Sequence, residues 1–544
     1  MAKKIVKKKV KRARRNTKLL FLNMITILLM ASSTAYLVYI LNSLQMIPQL
    51  WLILGAIILV ALFLLNCILA LLKIPSILQY IRCLVILAIS VVMFYGTYTV
   101  QSVDRELEQV MKLPSEYHEY VSIITLRENA IYSSTDLKNK RVGYQSTIDT
   151  EHMDLALEYL EDQTTIQKTK YRDYNTAVAD LMAHKVDAII VSESYRPLIQ
   201  ESYSNFDQVT AKIDAYEIQR EVTDIAKSID VTKNSFTVFI SGIDTLGKAT
   251  LNSQSDVNML VTVNPLSQTI SMMTIPRDSY LPNACLAYEN DKLTNTGAFG
   301  IDCTVRTIEN AFGVDINYYA KVSFSSIIDA VNALGGLEVN VPYSFCERKA
   351  NRVDIIYVYE GKQVLNGEQA LALARNRKNA SGGDVGRGKN QQMLVNAAIR
   401  QFASSDILKV TEDLLEVVNS TVQTNMTKKE IYAFINSFAS DLGNWTINNY
   451  SAGGEIGWGE CASMPGVELS IVNLKDEEMK AIKYMIKSSL TDSDLSEFSF
   501  TVNDVTVEEV KVEGETQGAS GQSFCWITEE YKKKQETSSE ENVE

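Results

Sequence analysis

The stretch ALARNRKNASGGDVGRGKNQQ, Ala372–Gln392, concentrates more chemistry than any other part of the chain. Arg375 and Arg377 are two residues apart, a spacing that on a β-strand puts both guanidinium groups on one face. The Ser381-Gly382-Gly383 turn then leads to Asp384 and to a predicted helix in which Arg387 and Gln391, four apart, share a face near the positive N-terminal end. Three arginines, a glutamine, a helix N-terminus and a carboxylate gathered in a small region suit a phosphate or pyrophosphate, with room for a divalent cation. Upstream, Asp244 and Asp256 fall at or beside the ends of predicted strands, and Arg277 follows a third strand. Two such aspartates can hold a hard ion such as Mg²⁺ or Mn²⁺, and Asp384 can complete the shell. Four arginines offer forked donors to a diphosphate that a lone lysine would serve poorly. Read instead as scattered surface ion pairs, these residues would contribute little each, and their placement at strand and helix ends would go unexplained.

Other chemistries find no footing. The three histidines, His118, His152 and His184, lie far from the cluster in sequence, so neither a Ser-His-Asp nor a zinc mechanism is expected there. No CxxC spacing and no G-x-x-x-x-G-K-[ST] run occurs.

The elements that must position the cluster can be read from apolar periodicity. Phe236–Asp244 (FTVFISGID), Asp256–Pro265 and Thr269–Leu281 read as strands, Asp302–Ala311 and Ser325–Leu334 as helices, and Leu337–Val341 as a strand. A helix over Glu368–Leu373 leads into the arginines, and Asn390–Phe402 continues as helix. Helices over Lys428–Leu442 and Leu474–Ser488 are expected to pack on the same unit. The mixture indicates a central mixed sheet covered on both faces, an α/β/α sandwich whose ligands sit at strand ends. Ile327–Leu334, with Val322 and Phe324, is a candidate apolar wall for a lipid tail, although plain core packing produces the same pattern.

Before this unit, Tyr120–Thr125, Lys140–Tyr144 and Val186–Val191 read as strands alternating with helices at His152–Asp162 and Tyr174–His184. They predict a small α/β domain with mostly parallel pairing. It bears a weak resemblance to one lobe of a solute-binding protein.

The N-terminus sets the location. Residues 1–18 hold ten Lys or Arg and no acid, so the rest of the chain carries −22 against −12 for the whole. Three apolar spans follow, Leu19–Leu41, Leu50–Leu72 and Ile81–Val100, each long enough to cross ~30 Å of hydrocarbon. The basic head and a Lys73/Arg82 loop are expected in the cytoplasm, and everything after about Gln101 outside it. Of seven cysteines, Cys67 and Cys83 fall in spans, and the exported five suggest the pairs Cys285–Cys303 and Cys461–Cys525 with Cys346 left over.

SGIDTLG, QSDVNMLVTVNPLSQTISMMTIPRDSYLP, INYYAKVSFSSIIDAVNALGGLEVNVP and ALARNRKNASGGDVGRGKNQQ together resemble the LytR-CpsA-Psr (LCP) family of cell-envelope enzymes, over about Ser235–Phe402. The three spans and the intervening α/β unit look like its CpsA-type members. The resemblance implies a phosphotransferase that takes a glycopolymer, such as teichoic acid or capsular polysaccharide, from an undecaprenyl-pyrophosphate carrier and joins it to peptidoglycan. By the same resemblance Arg277, Arg375, Arg377, Arg387 and Gln391 would grip the pyrophosphate and Asp256 with Asp384 would hold Mg²⁺. Asp244 would order the arginines or activate the incoming hydroxyl. Family members often carry an arginine two residues before the second acid; here Gln254 stands there, able to hydrogen-bond a phosphate but without charge.

The expected organisation is a basic cytoplasmic head (1–18), three transmembrane helices (19–100), a charged helical stem (101–119), an α/β accessory domain (120–230), the LCP domain (235–500) and an acidic tail (510–544). Two other functions use the same parts, a polyprenyl-pyrophosphate hydrolase and a lipid-carrier-binding regulator. A transcription attenuator would need nucleic-acid contacts, and the eighteen-residue head contains no module that reads nucleic acid.

Overall fold

In the computed structural model, which describes residues 17–44, 49–72, 74–111, 116–246, 253–377, 384–404, 414, 417, 421–439 and 445–491, the three apolar runs are helices. They are α1 (Thr17–Leu44), α2 (Gln49–Leu71) and α3 (Ser76–Met111), and their membrane-length portions are Leu19–Ser43, Trp51–Leu71 and Ser76–Gln101. The expected stem is the unbroken continuation of α3. Arg82, assigned above to a loop, lies inside α3: its guanidinium donates to Asn23 Oδ1 of α1 at 2.6 Å and to Asn66 Oδ1 of α2 at 2.5 Å. A half-buried charge with two amide partners ties the three helices together and does not merely mark topology. These helices and the helix Lys428–Ala439 group into one compact unit. The second unit holds the other described residues. Residues 1–16, the Ser381-Gly382-Gly383 turn, Cys525 and the tail lie outside the described residues.

The accessory domain runs β1 (Glu116–Leu126), β2 (Arg141–Gln145), α4 (Thr150–Gln163), β3 (Gln167–Tyr171), α5 (Tyr174–Met182), β4 (Ala188–Ser192), α6 (Arg196–Ser202), the single turn α7 (Phe206–Val209) and β5 (Thr210–Glu221). Its sheet order is β3-β2-β4-β1-β5. Strand β2 pairs in parallel with β3 and β4, whereas β1 pairs antiparallel with β4 and β5. The expectation of mostly parallel pairing is corrected to an even mixture. The half-exposed strand β5 (TAKIDAYEIQRE), whose frequent charges break up any apolar run, was not recognisable as the long antiparallel partner of β1.

The next unit contains β6 (Phe236–Gly242), β7 (Val257–Asn264), β8 (Thr269–Ile275), β9 (Tyr280–Pro282), β10 (Asn290–Lys292), α8 (Ile301–Phe312), β11 (Tyr318–Val322) and α9 (Phe324–Ala333). It continues with β12 (Leu337–Val341), β13 (Phe345–Arg348), β14 (Ile355–Val358), β15 (Gly361–Leu365), α10 (Gly367–Arg375), α11 (Asp384–Ser404), β16 (Gln423–Thr424), β17 (Thr446–Ser451), β18 (Glu455–Cys461), β19 (Met464–Asn473) and the helix Asp476–Thr491. The central sheet has the order β16-β11-β6-β7-β8-β17, parallel at β11/β6 and β8/β17 and antiparallel elsewhere. Phe239, Leu260 and Met273 of the sheet are buried together with Ile301, Val305 and Ile308 of α8 and Ile482 and Ile486 of the last helix. Helix α11 packs on β8 and β17, with α10 beside it and α9 beyond. A Cβ at Gly388 would sit 3.0 Å from Thr274 Oγ1, so the small residue lets α11 lie close on β8. This is the expected α/β/α sandwich with a mixed sheet.

Cys285 and Cys303 form a disulfide, as expected. The second pairing is not borne out: Cys461 is a buried free thiol, whereas Cys346 is disulfide-bonded to a partner outside the described residues.

Candidate functional site

Register alone brings the candidate residues to one sheet edge. Gly242, the last residue of β6, pairs with Val257, the first of β7, and also with Val322 at the end of β11. Asn258 pairs with Ile275 at the end of β8, and Thr274 pairs with Ser451 at the end of β17. Asp244, Asp256, Arg277 and Phe324 therefore leave the sheet side by side.

An open cleft of about 210 Å³ lies at this edge. Asp244, Asp256, Arg277, Arg375, Arg377, Arg387 and Gln391 all line it, with Phe324, Ile327 and Leu371 as an apolar wall. The wall keeps Phe324 and Ile327 of the sequence expectation, gains Leu371 from α10, and omits Val322, Val331 and Leu334. A smaller adjoining pocket shares Asp256, Arg277, Arg387 and Gln391 and adds Asn258, Thr274, Gly388 and Ala452.

Each cation is held in its own way. Arg277 Nη1 donates to Asp256 Oδ1 at 2.5 Å. Arg387, nearly buried in the first turns of α11, donates from Nη2 to the backbone oxygen of Asp256 at 3.0 Å. Gln391 donates its amide to Ala374 O at 3.2 Å, fixing the end of α10 where Arg375 projects. Arg375 Nη1 donates to Arg348 O at 3.3 Å, and its guanidinium lies 4.7 Å above the Phe324 ring, where the face of the ring attracts the cation.

The expected strand through Arg375 and Arg377 is not formed. Arg375 ends α10, Asn376 caps it in an extended conformation and Arg377 follows as an exposed residue. The Ala-Leu-Ala-Leu-Ala run favours helix, and the Asn366 capping box with Gln369 starts it. At Gly367 a Cβ would stand 2.4 Å from Ile328 O, so this helix seats directly on α9.

Asp244 carries a feature invisible in the sequence. Arg352, 108 positions away in the β13–β14 hairpin, donates to Asp244 Oδ1 at 2.5 Å. Burial pushes the Asp244 carboxyl above its ordinary value, the Arg352 cation pulls it down, and the Asp256 charge pushes it up again. Gln254 stands apart: its amide donates to Asn295 Oδ1 at 3.4 Å, and it is not among the residues lining the cleft. Asp384 opens α11, but its side chain is outside the described set.

The model of the LytR_cpsA_psr family matches residues 201–487, more than half of the chain. The chain belongs to the LytR-CpsA-Psr family. Among curated LCP relatives, the polyisoprenyl-teichoic acid–peptidoglycan teichoic acid transferase TagV of Bacillus subtilis is 32% identical over 201 residues, 36% of this chain and 51% of TagV. The chain thus spans about half the length of that relative. TagT of the same organism, named as the same kind of transferase, is 29% identical over 283 residues, 50% of this chain and 85% of TagT. TagU of Bacillus mycoides is 31% identical over 225 residues, 41% of this chain and 69% of TagU. Among solved LCP structures, B. subtilis TagV aligns with TM-score 0.41 at 28% identity, over 47% of this chain and 98% of that one. TagT with bound octaprenyl pyrophosphate aligns with TM-score 0.36 at 24% identity, over 48% and 93%.

Proposed function

We propose that this LCP protein is a membrane-anchored phosphotransferase that moves a glycopolymer from an undecaprenyl-pyrophosphate carrier onto peptidoglycan. The carrying observation is the union, in one cleft, of four arginines with an apolar wall of Phe324, Ile327 and Leu371. A diphosphate fused to a prenyl chain has that same two-part character. The names of the curated relatives support the transferase class.

In this reading Arg277, Arg375, Arg377 and Arg387 neutralise the diphosphate and hold it in line, and the prenyl chain lies along the apolar wall. The acceptor hydroxyl attacks the phosphorus that bears the polymer. A new P–O bond forms, the P–O–P bridge breaks, and polyprenyl phosphate leaves with the bridging oxygen. Asp244, whose partly desolvated carboxyl at the cleft rim binds protons more readily than an ordinary one, takes the hydroxyl proton. Arg352 keeps it aimed.

A divalent cation fits the donor set. Asp244 and Asp256 line one cleft closely enough for the charge on Asp256 to raise the Asp244 carboxyl, and Mg²⁺ commonly needs one or two carboxylates plus substrate phosphates. Among the described residues no group of three His, Cys, Asp or Glu gathers, and the proposed holders of Mg²⁺ or Mn²⁺ are Asp256 in the cleft with Asp384 at the start of α11. When bound, the ion would neutralise charge on the diphosphate oxygens. Calorimetry with Mn²⁺ tests this, because Asp256→Asn should lose the binding isotherm.

The function is tested with the full chain in detergent and a polyprenyl-pyrophosphate-linked glycan. Polyprenyl phosphate release that depends on added peptidoglycan, with the glycan becoming attached to it, is the expected result. Release without acceptor would make the protein a hydrolase, and binding without release a carrier-sensing protein.

A further inference from the structure

Trp458 on β18 is 71% exposed, with Ile456 two residues before it at 81%. In the β18–β19 ladder Ile456 pairs with Val472, Trp458 with Ser470, and Glu460 with Glu468. Period-two alternation puts all six on one face, so an indole and two aliphatic side chains stand there beside a hydroxyl and two carboxylates. The opposite face is seated: Ile471 and Cys461 are buried, and Tyr280 donates its hydroxyl to Glu460 O at 2.7 Å.

This hairpin is joined directly to the cleft. Val472 N donates to Asp278 O at 2.8 Å, and Ser279 bridges to Val472, so β19 is an extension of the loop that carries Arg277. Strand β18 starts three residues after Ala452, which lines the smaller pocket. The hairpin turn is anchored as well: Ser463 donates from N at 3.1 Å and from Oγ at 3.0 Å to the fully buried carboxylate of Asp291. The hairpin is therefore tied at its turn and along β19, and it grows from the Arg277 side of the site, whereas the apolar wall comes from α9 and α10.

We propose that the outer face of the β18–β19 hairpin is the docking platform for the acceptor glycan strand, with Trp458 stacking on a sugar ring and Glu460 and Glu468 accepting hydroxyl hydrogen bonds. The assignment rests on the transferase reading above. In-line displacement requires the acceptor oxygen to arrive opposite the leaving polyprenyl phosphate. With the prenyl chain on the Phe324 wall, the acceptor is assigned the opposite flank, past Arg277 and Ala452, where the hairpin begins. An exposed aromatic with flanking acceptors suits a hydroxyl-rich partner with apolar ring faces. Glu460 and Glu468 on the same face repel an anionic bilayer, which sets the membrane aside as the occupant.

The experiment uses the full chain in detergent, with uncrosslinked peptidoglycan glycan chains as acceptor and a polyprenyl-pyrophosphate-linked glycan as donor. Trp458→Ala should raise the KM for acceptor about tenfold, the scale of a lost aromatic anchor, while the KM for donor stays within about twofold. Adding the glycan chains should shift the tryptophan emission of the wild type, and Trp458→Phe should remove that shift. Unchanged acceptor KM in Trp458→Ala while Arg277→Ala abolishes transfer overturns the platform and leaves the transferase reading standing. A raised donor KM alone, or lost binding to phosphatidylglycerol vesicles with acceptor KM unaltered, also overturns it. A Trp458-dependent emission shift in a chain that transfers nothing retains the platform and sinks the transferase reading.

Discussion

At the scale of single residues, the site depends on how each guanidinium is seated. Arg375 needs a flat cation, because it lies over the Phe324 ring while donating to Arg348 O. Arg375→Lys keeps the charge and loses the plane; kcat/KM should fall by an amount equivalent to about 2–4 kcal/mol with an unchanged melting temperature, measured by release of polyprenyl phosphate. Arg352 contacts Asp244 directly. Its cation lowers a carboxyl that burial has raised, so Arg352→Ala should let that carboxyl rise further. Activity that requires ionised Asp244 then falls off at a higher pH, and the acid limb of the pH–kcat/KM profile should move upward. A limb that stays in place would remove Asp244 from the role of proton acceptor. Asp244, Asp256 and Arg277 were legible in the sequence because period-two apolar runs fix where strands end. Arg352 was not, since a contact spanning 108 positions leaves no local pattern.

At the scale of elements, the sequence misled where two signals competed. Two arginines at spacing two resemble a strand face, yet the alanines and leucines before them are helix formers, and helix won. Strands β17 and β18 escaped notice because INNYS and GEIGWGE are polar or glycine-rich and their residues are mostly half-buried or exposed. In the accessory domain one helix is fastened by a charge cluster. His152 of α4 lies 2.7 Å from Glu119 Oε2 of β1 and 2.6 Å from Asp149 Oδ1, and Arg220 of β5 reaches Glu119 at 3.5 Å. Burial alone would lower the imidazole pKa, but the hydrogen bonds and charges of Asp149 and Glu119 outweigh it and raise the value to about 9 from 6.5. A folded pKa above the unfolded one gives stability that is complete below 6.5 and is lost as pH rises through about 9. His152→Gln should therefore melt below wild type at neutral pH, and the two curves should converge near pH ~10, as followed by thermal unfolding.

At the scale of the whole molecule, charge and hydropathy were the most legible features, because a span of three apolar helices needs no tertiary information. The direction proposed for them across the bilayer rests on the ten cations of residues 1–18. Alkaline phosphatase fused after Glu544 should be active and β-galactosidase at the same place inactive; the reverse pattern would put the arginine cleft on the wrong side of the bilayer for peptidoglycan. The apolar wall of the cleft was only half legible, since Leu371 reaches it from α10, more than forty positions after Phe324. The Phe324 ring has two neighbours at once, the greasy side of the cleft and the Arg375 cation. An antibacterial compound designed to press on that ring would leave the cell little room for escape. Any swap that evades the drug also unseats the Arg375 guanidinium, so on the transferase reading resistance at this position should carry a steep loss of fitness.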